Sequence, residues 1–527
     1  MRILLEVSTL GFKTYHFLAK RINEIYPESQ FGIIRGPKVA LDFLQSQNDI
    51  KYQIFDTDCE LTEKDVIDYH EIEKFENTLV HKSIWRIVAS DRGLGRAFLH
   101  GAVGYEYDGP YDREYILRYC TKLIKRIKET FNEFKPEIFI PAIAMGDIGV
   151  TILDQICKEN RVPYLLPDGL RIKNYFSFSF NHQNTFPQVD ELTEKLINNE
   201  IEFDKTHAEQ LYKDLLENLD FFDTMNPRHK KREFSGFLKR MNYRYIVISF
   251  NIIKSLFNWF VDNFNRLLRG DRSRVFSFIV LYRVIRNAVI SRLQRLNLTH
   301  SKFGTILEPS QKYIYFPLTG QPEYSNNILG TMWMDHHHLI ETLAKSIPHD
   351  WVVYVKEHSG LLSDRIRTTD FYTKIKKLPN VILAPIYTSS LDMISNAEMI
   401  AVISGTSAWE AILCDKPVIE FRKNLWSVIG LSRKCTDIEK LSITINDEIN
   451  RINKITQQER KRRIICFLAA VLDRGFWMSN KYLLFSSKTR TDDEYEMCGR
   501  ELVDGLLKHL HYLQTEKGYS FGIHKED

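Results

Sequence analysis

Met399-Ile400-Ala401-Val402-Ile403-Ser404-Gly405-Thr406-Ser407-Ala408-Trp409-Glu410-Ala411-Ile412-Leu413-Cys414 runs, after Asp415-Lys416-Pro417, into Val418-Ile419-Glu420-Phe421. The first five residues are an apolar run of strand length, and Ser-Gly-Thr-Ser is turn chemistry. Ala408 to Cys414 reads as a helix, and Val418 to Phe421 as a second strand. A strand, a turn, a helix and a strand in so short a span form a parallel crossover unit.

The same rhythm extends upstream. Tyr313 to Pro317 is strand-like, Asp335 to Ile347 helical, Trp351 to Lys356 strand-like, Tyr372 to Leu378 helical, Val381 to Leu383 strand-like and Ser389 to Asn396 helical. With the two strands above, this predicts a doubly wound parallel sheet. A second alternation opens the chain: strand Arg2 to Val7, helix Thr14 to Ile25, strand Phe31 to Arg35. Further on come strand Glu137 to Ala142, a Gly146-Asp147 break, helix Ile148 to Lys158 and strand Val162 to Leu166. The tail carries an apolar pattern through Met497, Leu502, Leu506, Leu507 and Leu510, which predicts a long amphipathic helix in need of a surface.

Between the two alternations lies a basic block. From Arg228 to Arg295 sixteen Lys and Arg face only Glu233, Asp262 and Asp271, a net +13 in a chain whose formal charge is +4. Phe257, Phe260 and Phe264 stand at near-helical spacing beside Lys254, Arg266 and Arg269. An amphipathic helical pair of this kind suits an anionic membrane surface, and it also fits a packed insertion with solvated Arg. Basic patches bind nucleic acid too, but neither a zinc-finger nor an RNA-recognition pattern is present. The expected division is 1–215, 216–305, 306–485 and 486–527: an N-terminal unit, the basic insertion, a C-terminal unit and a terminal helix.

The 527 residues allow two or three domains, and 44% hydrophobic with 12% aromatic content excludes a disordered chain. Twenty-four Gly and sixteen Pro exclude collagen-like sequence, and seven scattered Cys without a Cys-x-x-Cys pair point to a reducing, cytoplasmic compartment. Met1-Arg2-Ile3-Leu4-Leu5 is interrupted by Glu6 before a signal-peptide core accumulates. The longest apolar stretches, Tyr245 to Val261 and Val275 to Ile290, carry charged and amide residues, so neither reads as a membrane span.

Ligands of open α/β sheets sit beyond the carboxyl ends of the strands, which directs attention to the residues after each strand. These are Thr319-Gly320-Gln321-Pro322-Glu323, Lys356-Glu357-His358-Ser359-Gly360, Pro385-Ile386-Tyr387 and Ser404 to Glu410. A helix opening at Ser404-Gly405-Thr406-Ser407 offers free N–H groups and a positive dipole end to an anion, and Glu410 one turn on can accept from ribose hydroxyls. An ordinary βα turn has the same look. Lys356 and His358 alternate at a strand end and pair a point charge with a donor, which suits phosphate. Asp335-His336-His337-His338 is no metal site, because consecutive helical positions diverge by about 100°.

The residues Tyr315, Gln321-Pro322, Lys356-Glu357-His358, Ser404 to Ala411 and Lys416-Pro417-Val418-Ile419 resemble the capsule polysaccharide biosynthesis glycosyltransferases. These are GT-B enzymes that include the Kdo transferases of capsule linker synthesis, and the bacterial polysialyltransferases are more distantly similar. The resemblance spans about 110 residues of the second half and is loose before it. It implies two Rossmann-like parallel-sheet domains facing a cleft, with a C-terminal helix crossing back. Carried over, Gln321 and Pro322 lie at the base or ribose, Lys356 and His358 at the phosphate, and Ser404, Gly405, Thr406, Ser407 and Glu410 around phosphate and ribose. Ser359 stands where the family's His-Pro motif has Pro.

Inverting transfer needs a base on the acceptor side. Asp168 is the candidate, at the end of Val162 to Leu166, in a tight turn Pro167-Asp168-Gly169 with Arg171 nearby; it also fits a turn Asp bonded to its own backbone. Asp147 is the runner-up and also reads as an N-cap. The loop Ser8-Thr9-Leu10-Gly11 after the first strand is a further acceptor contact or a plain βα turn. The expectation is a metal-independent, inverting GT-B glycosyltransferase of surface polysaccharide assembly, without a cofactor. Its nucleotide-sugar donor is CMP-, UDP- or GDP-linked, and its acceptor is a glycan or glycolipid. The chain is placed in the cytoplasm, on the inner face of the plasma membrane. A nucleotide-sugar 2-epimerase and a catalytically silent scaffold are the alternatives.

Overall fold

In the computed structural model, residues 1–8, 11–55, 61–91, 93–98, 111–142, 147–219, 303–321, 324–358, 367–386, 388–479 and 491–521 are described, together with positions 257, 260, 261 and 264. Most of the basic block, Thr9, Leu10, Gly146, Pro322, Glu323, Ser359, Gly360 and Tyr387 lie outside the described residues.

Strands β1 (Arg2–Glu6), β2 (Gln30–Arg35), β3 (Tyr52–Ile54) and β4 (Ile138–Ile140) form a sheet in the order β3-β2-β1-β4, parallel throughout. Helix Phe12–Ile25 connects the first two strands, and helix Ile148–Glu159 follows the fourth. In the run from Val162 to Leu166, expected as a strand, Tyr164 makes an isolated bridge to Phe139 and Leu166 opens the next strand.

The expected tight turn at Pro167-Asp168-Gly169 is instead the body of β5 (Leu166–Gly169). It pairs antiparallel with β6 (Tyr175–Ser179), Asp168 opposite Ser177. The turn falls later, where Arg171 and Lys173 both take positive φ. β5 is an edge strand, so Pro167 without its N–H removes no ladder bond on the open side.

The second large sheet comprises β7 (Lys312–Pro317), β8 (Trp351–Lys356), β9 (Val381–Leu383), β10 (Met399–Val402), β11 (Val418–Glu420) and β12 (Arg433–Lys434). Its order β12-β11-β10-β7-β8-β9 is all parallel, the doubly wound arrangement with its reversal between β7 and β10. Tyr313, Tyr315, Ile400, Val402 and Val418 face one core. Ile314, Phe316, Met399, Ala401 and Ile419 face the other, so these strands are almost wholly apolar because both faces are buried. The first of those cores also holds Phe186, Val189 and Leu211, since helices Pro187–Ile197 and Thr206–Glu217 pack on helix Gln457–Arg474.

β13 (Phe476–Trp477) adds antiparallel to β6, and the chain then returns as helix Asp492–Lys517 along helix Phe12–Ile25. A Cβ at Gly499 would stand 2.8 Å from Phe17 Cβ and 2.9 Å from its backbone carbonyl carbon, so this close helix contact requires glycine. Ser177 Oγ, His509 Nε2 and the Gln188 amide close the seam, with the first two 2.7 Å apart. Among the described residues no helix is long and apolar enough to cross a membrane.

Candidate functional site

The reversal between β7 and β10 opens a crevice beyond their carboxyl ends, and a cavity of about 390 Å³ lies there. Its walls include Asp168 and Arg171 from the β5–β6 hairpin, Thr319 after β7, Lys356 and His358 at β8, Ser404 to Ser407 and Glu410 after β10, and Arg422 after β11. Asp168, Lys356, His358, Ser404, Gly405, Thr406, Ser407 and Glu410 thus meet in one place. Gln321 does not line the cavity. It is buried beneath, its amide donating to the Met334 carbonyl at 2.5 Å, and Pro322 lies outside the described residues.

One wall begins at Gly405, the N-cap of helix Thr406–Leu413. Gly405 has φ 137 and ψ 158, a conformation open essentially to glycine alone. The first N–H groups of a helix have no i−4 partner within it, and no side chain caps this one. Lys356 is buried, with Nζ donating to Ser390 Oγ at 2.6 Å, while His358 is exposed at the rim.

Glu357, a spacer in the sequence, is buried in an ion pair. Arg367 donates to both its oxygens, at 2.6 and 2.7 Å, and Tyr372 Oη and the His358 N–H add 2.6 and 2.7 Å bonds. The Arg367 guanidinium also donates to Thr319 O and meets His336 Nδ1 at 2.9 Å, so one buried cation ties the strand-end segments of β7 and β8 together. Burial and the Arg367 charge hold His336 neutral, its pKa far below the ordinary value. Its ring is engaged by Arg367 and, at 3.4 Å, by Thr319 Oγ1. Among the described residues no three His, Cys, Asp or Glu stand together in a way that could hold a metal ion.

Across the cavity, Asp168 Oδ1 accepts from the Gly169 N–H at 2.7 Å, and the Asn184 amide donates to Oδ2. Burial pushes this carboxyl up, against the pull of Arg171, the Gly169 N–H and Arg422. Asn184, at φ 52, is itself oriented by Tyr324, whose hydroxyl donates to Asn184 Oδ1 at 3.3 Å and to the His182 carbonyl. Tyr324 belongs to the C-terminal half, so the acid is aligned from both sides of the cleft.

Asp147, the alternative base, caps helix Ile148–Glu159 through Gly149 N–H and is clamped by Arg35 at 2.8 and 3.0 Å. Ser8 forms an isolated bridge to Gly11. The strand-end rule extended to β11 finds Arg422. Asn184 and Arg367 carry no comparable sequence signal.

A scan against protein-family models gives no match, and no curated protein sequence matches the chain. Among solved structures the chain is similar to UDP-GlcNAc 2-epimerase from Methanocaldococcus jannaschii, with 11% identity, coverage of 85% of this chain and 93% of that one, and a TM-score of 0.21. It is also similar to the KpsC β-Kdo 2,7 transferase of Thermosulfurimonas dismutans, with 12% identity, 72% and 89% coverage and a TM-score of 0.31. The glycosyltransferase VinC in complex with dTDP follows with 10% identity, 89% and 95% coverage and a TM-score of 0.23. The strand orders, not these likenesses, carry the fold assignment. Two Rossmann-type parallel sheets with a ligand-sized cavity at the second one's switch point give the chain a GT-B-type α/β architecture.

Proposed function

We propose that the chain is a GT-B glycosyltransferase that moves a sugar from a nucleotide-sugar donor to a glycan or glycolipid acceptor in bacterial surface polysaccharide assembly. The observation that carries this reading is the pairing, across one cavity of about 390 Å³, of a helix N-terminus with a carboxyl whose pKa burial has raised. The donor phosphate lies against the N–H groups after Gly405, with Lys356 and His358 beside it, and Glu410 accepts from ribose hydroxyls.

Asp168 takes the proton from the acceptor hydroxyl as that oxygen attacks the anomeric carbon, and the bond to the phosphate oxygen breaks on the opposite face, inverting the centre. The departing charge is met by the helix N-terminus and the cavity's cations, so transfer proceeds in the presence of a chelator. Raised basicity and exclusion from water fit Asp168 for the step, and the Asn184 amide fixes which lone pairs remain for the acceptor.

The acceptor brings the chain to the anionic inner face of the membrane. The basic block supplies net +13, and Phe257, Phe260, Val261 and Phe264, which share one helical face, are exposed.

Nucleotide screening by thermal shift with CMP, UDP, GDP and their sugars identifies the donor class, since a ligand selective for the folded chain raises its melting temperature. Asp168→Asn should keep that shift and lose about 10²- to 10⁴-fold in turnover. Undiminished turnover would remove Asp168 from the mechanism, and acceptor-independent conversion of a free nucleotide sugar would make the enzyme an epimerase.

A further inference from the structure

Among the described residues of the cavity wall, Arg422 is a cation that burial largely withdraws from water without a carboxylate in ion-pair contact. It lies two residues past β11, and among the described residues its guanidinium makes a single hydrogen bond, NH2 to the Gln183 carbonyl at 3.0 Å. No carboxylate among the described residues forms an ion pair with it. A guanidinium carries five N–H donors, so among the described residues four are left without a protein acceptor. The other cations nearby differ. Arg171 is exposed and solvated, Lys356 donates to Ser390, and Arg367 is neutralised by Glu357. Burial pulls the Arg422 pKa down to about 10, against the attraction of Tyr324, Glu420 and Asp168. A charged group held this way is costly unless an anion completes it, and planar guanidinium favours two oxygens at once.

Resting on the donor reading above, we infer that Arg422 is a donor-binding and specificity-determining residue. It takes an anionic oxygen group of the donor, a phosphate or a sugar carboxylate, at the carboxyl end of β11, the strand paired with β10. The same side chain holds the Gln183 carbonyl, and the next residue, Asn184, donates to Asp168. Donor capture at Arg422 therefore sets the position of the loop that orients the base, so its removal lowers kcat as well as raising KM.

The test compares wild type, Arg422→Lys and Arg422→Gln by calorimetry and thermal shift. The ligands are nucleosides, nucleoside mono- and diphosphates, and nucleotides linked to neutral or to acidic sugars. The expected result is a loss of about 10- to 100-fold in affinity, partly restored in Arg422→Lys, only for ligands that carry the contacted anion. A loss that first appears with a phosphate identifies that source, and one confined to acidic-sugar donors identifies the carboxylate. Equal losses for nucleosides, or no loss at all, would overturn the inference. A wild-type chain that binds none of the ligands removes the donor reading itself, and the inference with it. If the variants do not fold, arginine-selective dicarbonyl labelling of the wild type decides. Arg422 should be protected by the nucleotide ligand that binds, and labelling unchanged by that ligand refutes the assignment.

Discussion

Replacing Arg367 with Met isolates the buried pair beneath the cavity. The substitution removes two guanidinium bonds to Glu357, at 2.6 and 2.7 Å, and with them the ties to Thr319 O and His336 Nδ1. Glu357 keeps only Tyr372 Oη and the His358 N–H, at 2.6 and 2.7 Å. Stripping the cation from a buried carboxylate costs about 3–5 kcal/mol, because the remaining charge has neither water nor counter-ion. For a unit of about 150–250 residues each kcal/mol lowers the melting temperature by about 2–4 °C, so a fall of about 6–20 °C is expected. The double variant Arg367→Met/Glu357→Gln removes both charges at nearly constant volume and should recover at least about 1 kcal/mol of the single loss. Thermal melts of the four proteins form the cycle. A single-variant fall below 2 °C, or a double variant whose loss is the sum of the two singles, would refute the view that Glu357 depends on Arg367. Nucleotide affinity should fall in Arg367→Met, since the Thr319 and His358 segments lose their shared anchor.

Three further perturbations read other parts of the fold. His509 is buried, and burial pushes its imidazole down to about 4, so the folded chain keeps it neutral while the unfolded chain protonates below its ordinary 6.5. Its contribution is complete above that value and is lost as pH falls toward 4, about 3 kcal/mol in all at about 1.4 kcal/mol per pH unit. The melting-temperature gap between wild type and His509→Asn should therefore narrow between pH 7 and pH 4.5, and a constant gap would exclude a neutral buried ring. Gly499→Ala gains about 1 kcal/mol of helix propensity but drives a Cβ to 2.8 Å from Phe17 Cβ and 3.0 Å from Leu18 N. Overpacking of about 1–3 kcal/mol should prevail and lower the melting temperature; a rise would show that the helix pair can separate without loss. Gly405→Ala meets open space, Thr319 Cγ2 being 4.0 Å away, so its penalty of about 1–3 kcal/mol comes from φ 137 alone. Nucleotide affinity should drop about tenfold or more as the helix start reorients, and unchanged affinity would remove this helix start from the donor site.

The second sheet was legible because burial on both faces leaves β7, β8, β10 and β11 almost without polar residues, a pattern that survives without knowledge of their neighbours. β12 was not, since Arg433–Lys434 is a two-residue edge strand with no apolar signature. The misplaced turn at Pro167-Asp168-Gly169 has another origin. β5 exists because β6 lies beside it, and β6 is held in turn by Phe476–Trp477 some three hundred residues later. Local turn chemistry cannot report a partner that distant. The same division holds in the cavity. Ser404 to Ser407 announce a helix start through their own order, whereas the Glu357–Arg367 pair is invisible until folding brings β8 and the start of the next helix together.

The carboxylates around the cleft show why Asp168, among several candidates, is the one suited to abstract a proton. A base must have an acidity near that of the working medium and a lone pair free of fixed cations. Glu357 fails on the second count because Arg367 takes both its oxygens. Asp147 fails likewise, since Arg35 grips it at two points and its ionised form is favoured by that charge over the cost of burial. Glu410 stands on helix Thr406–Leu413, the helix proposed to receive the donor phosphate, and in that reading it is on the donor's side of the reaction. Asp168, in the cavity wall, combines neutral donors, the Gly169 N–H and the Asn184 amide, with a pKa raised by burial. Arg171 and Arg422 act on it from a distance, pulling its pKa down against the larger effect of burial. When a donor anion neutralises Arg422, that restraint relaxes and Asp168 becomes a stronger base. The acidic limb of the pH–rate profile should accordingly lie higher with saturating donor than for the free enzyme, and move up again in Arg422→Gln; an acidic limb insensitive to both would sever Arg422 from the chemistry at Asp168.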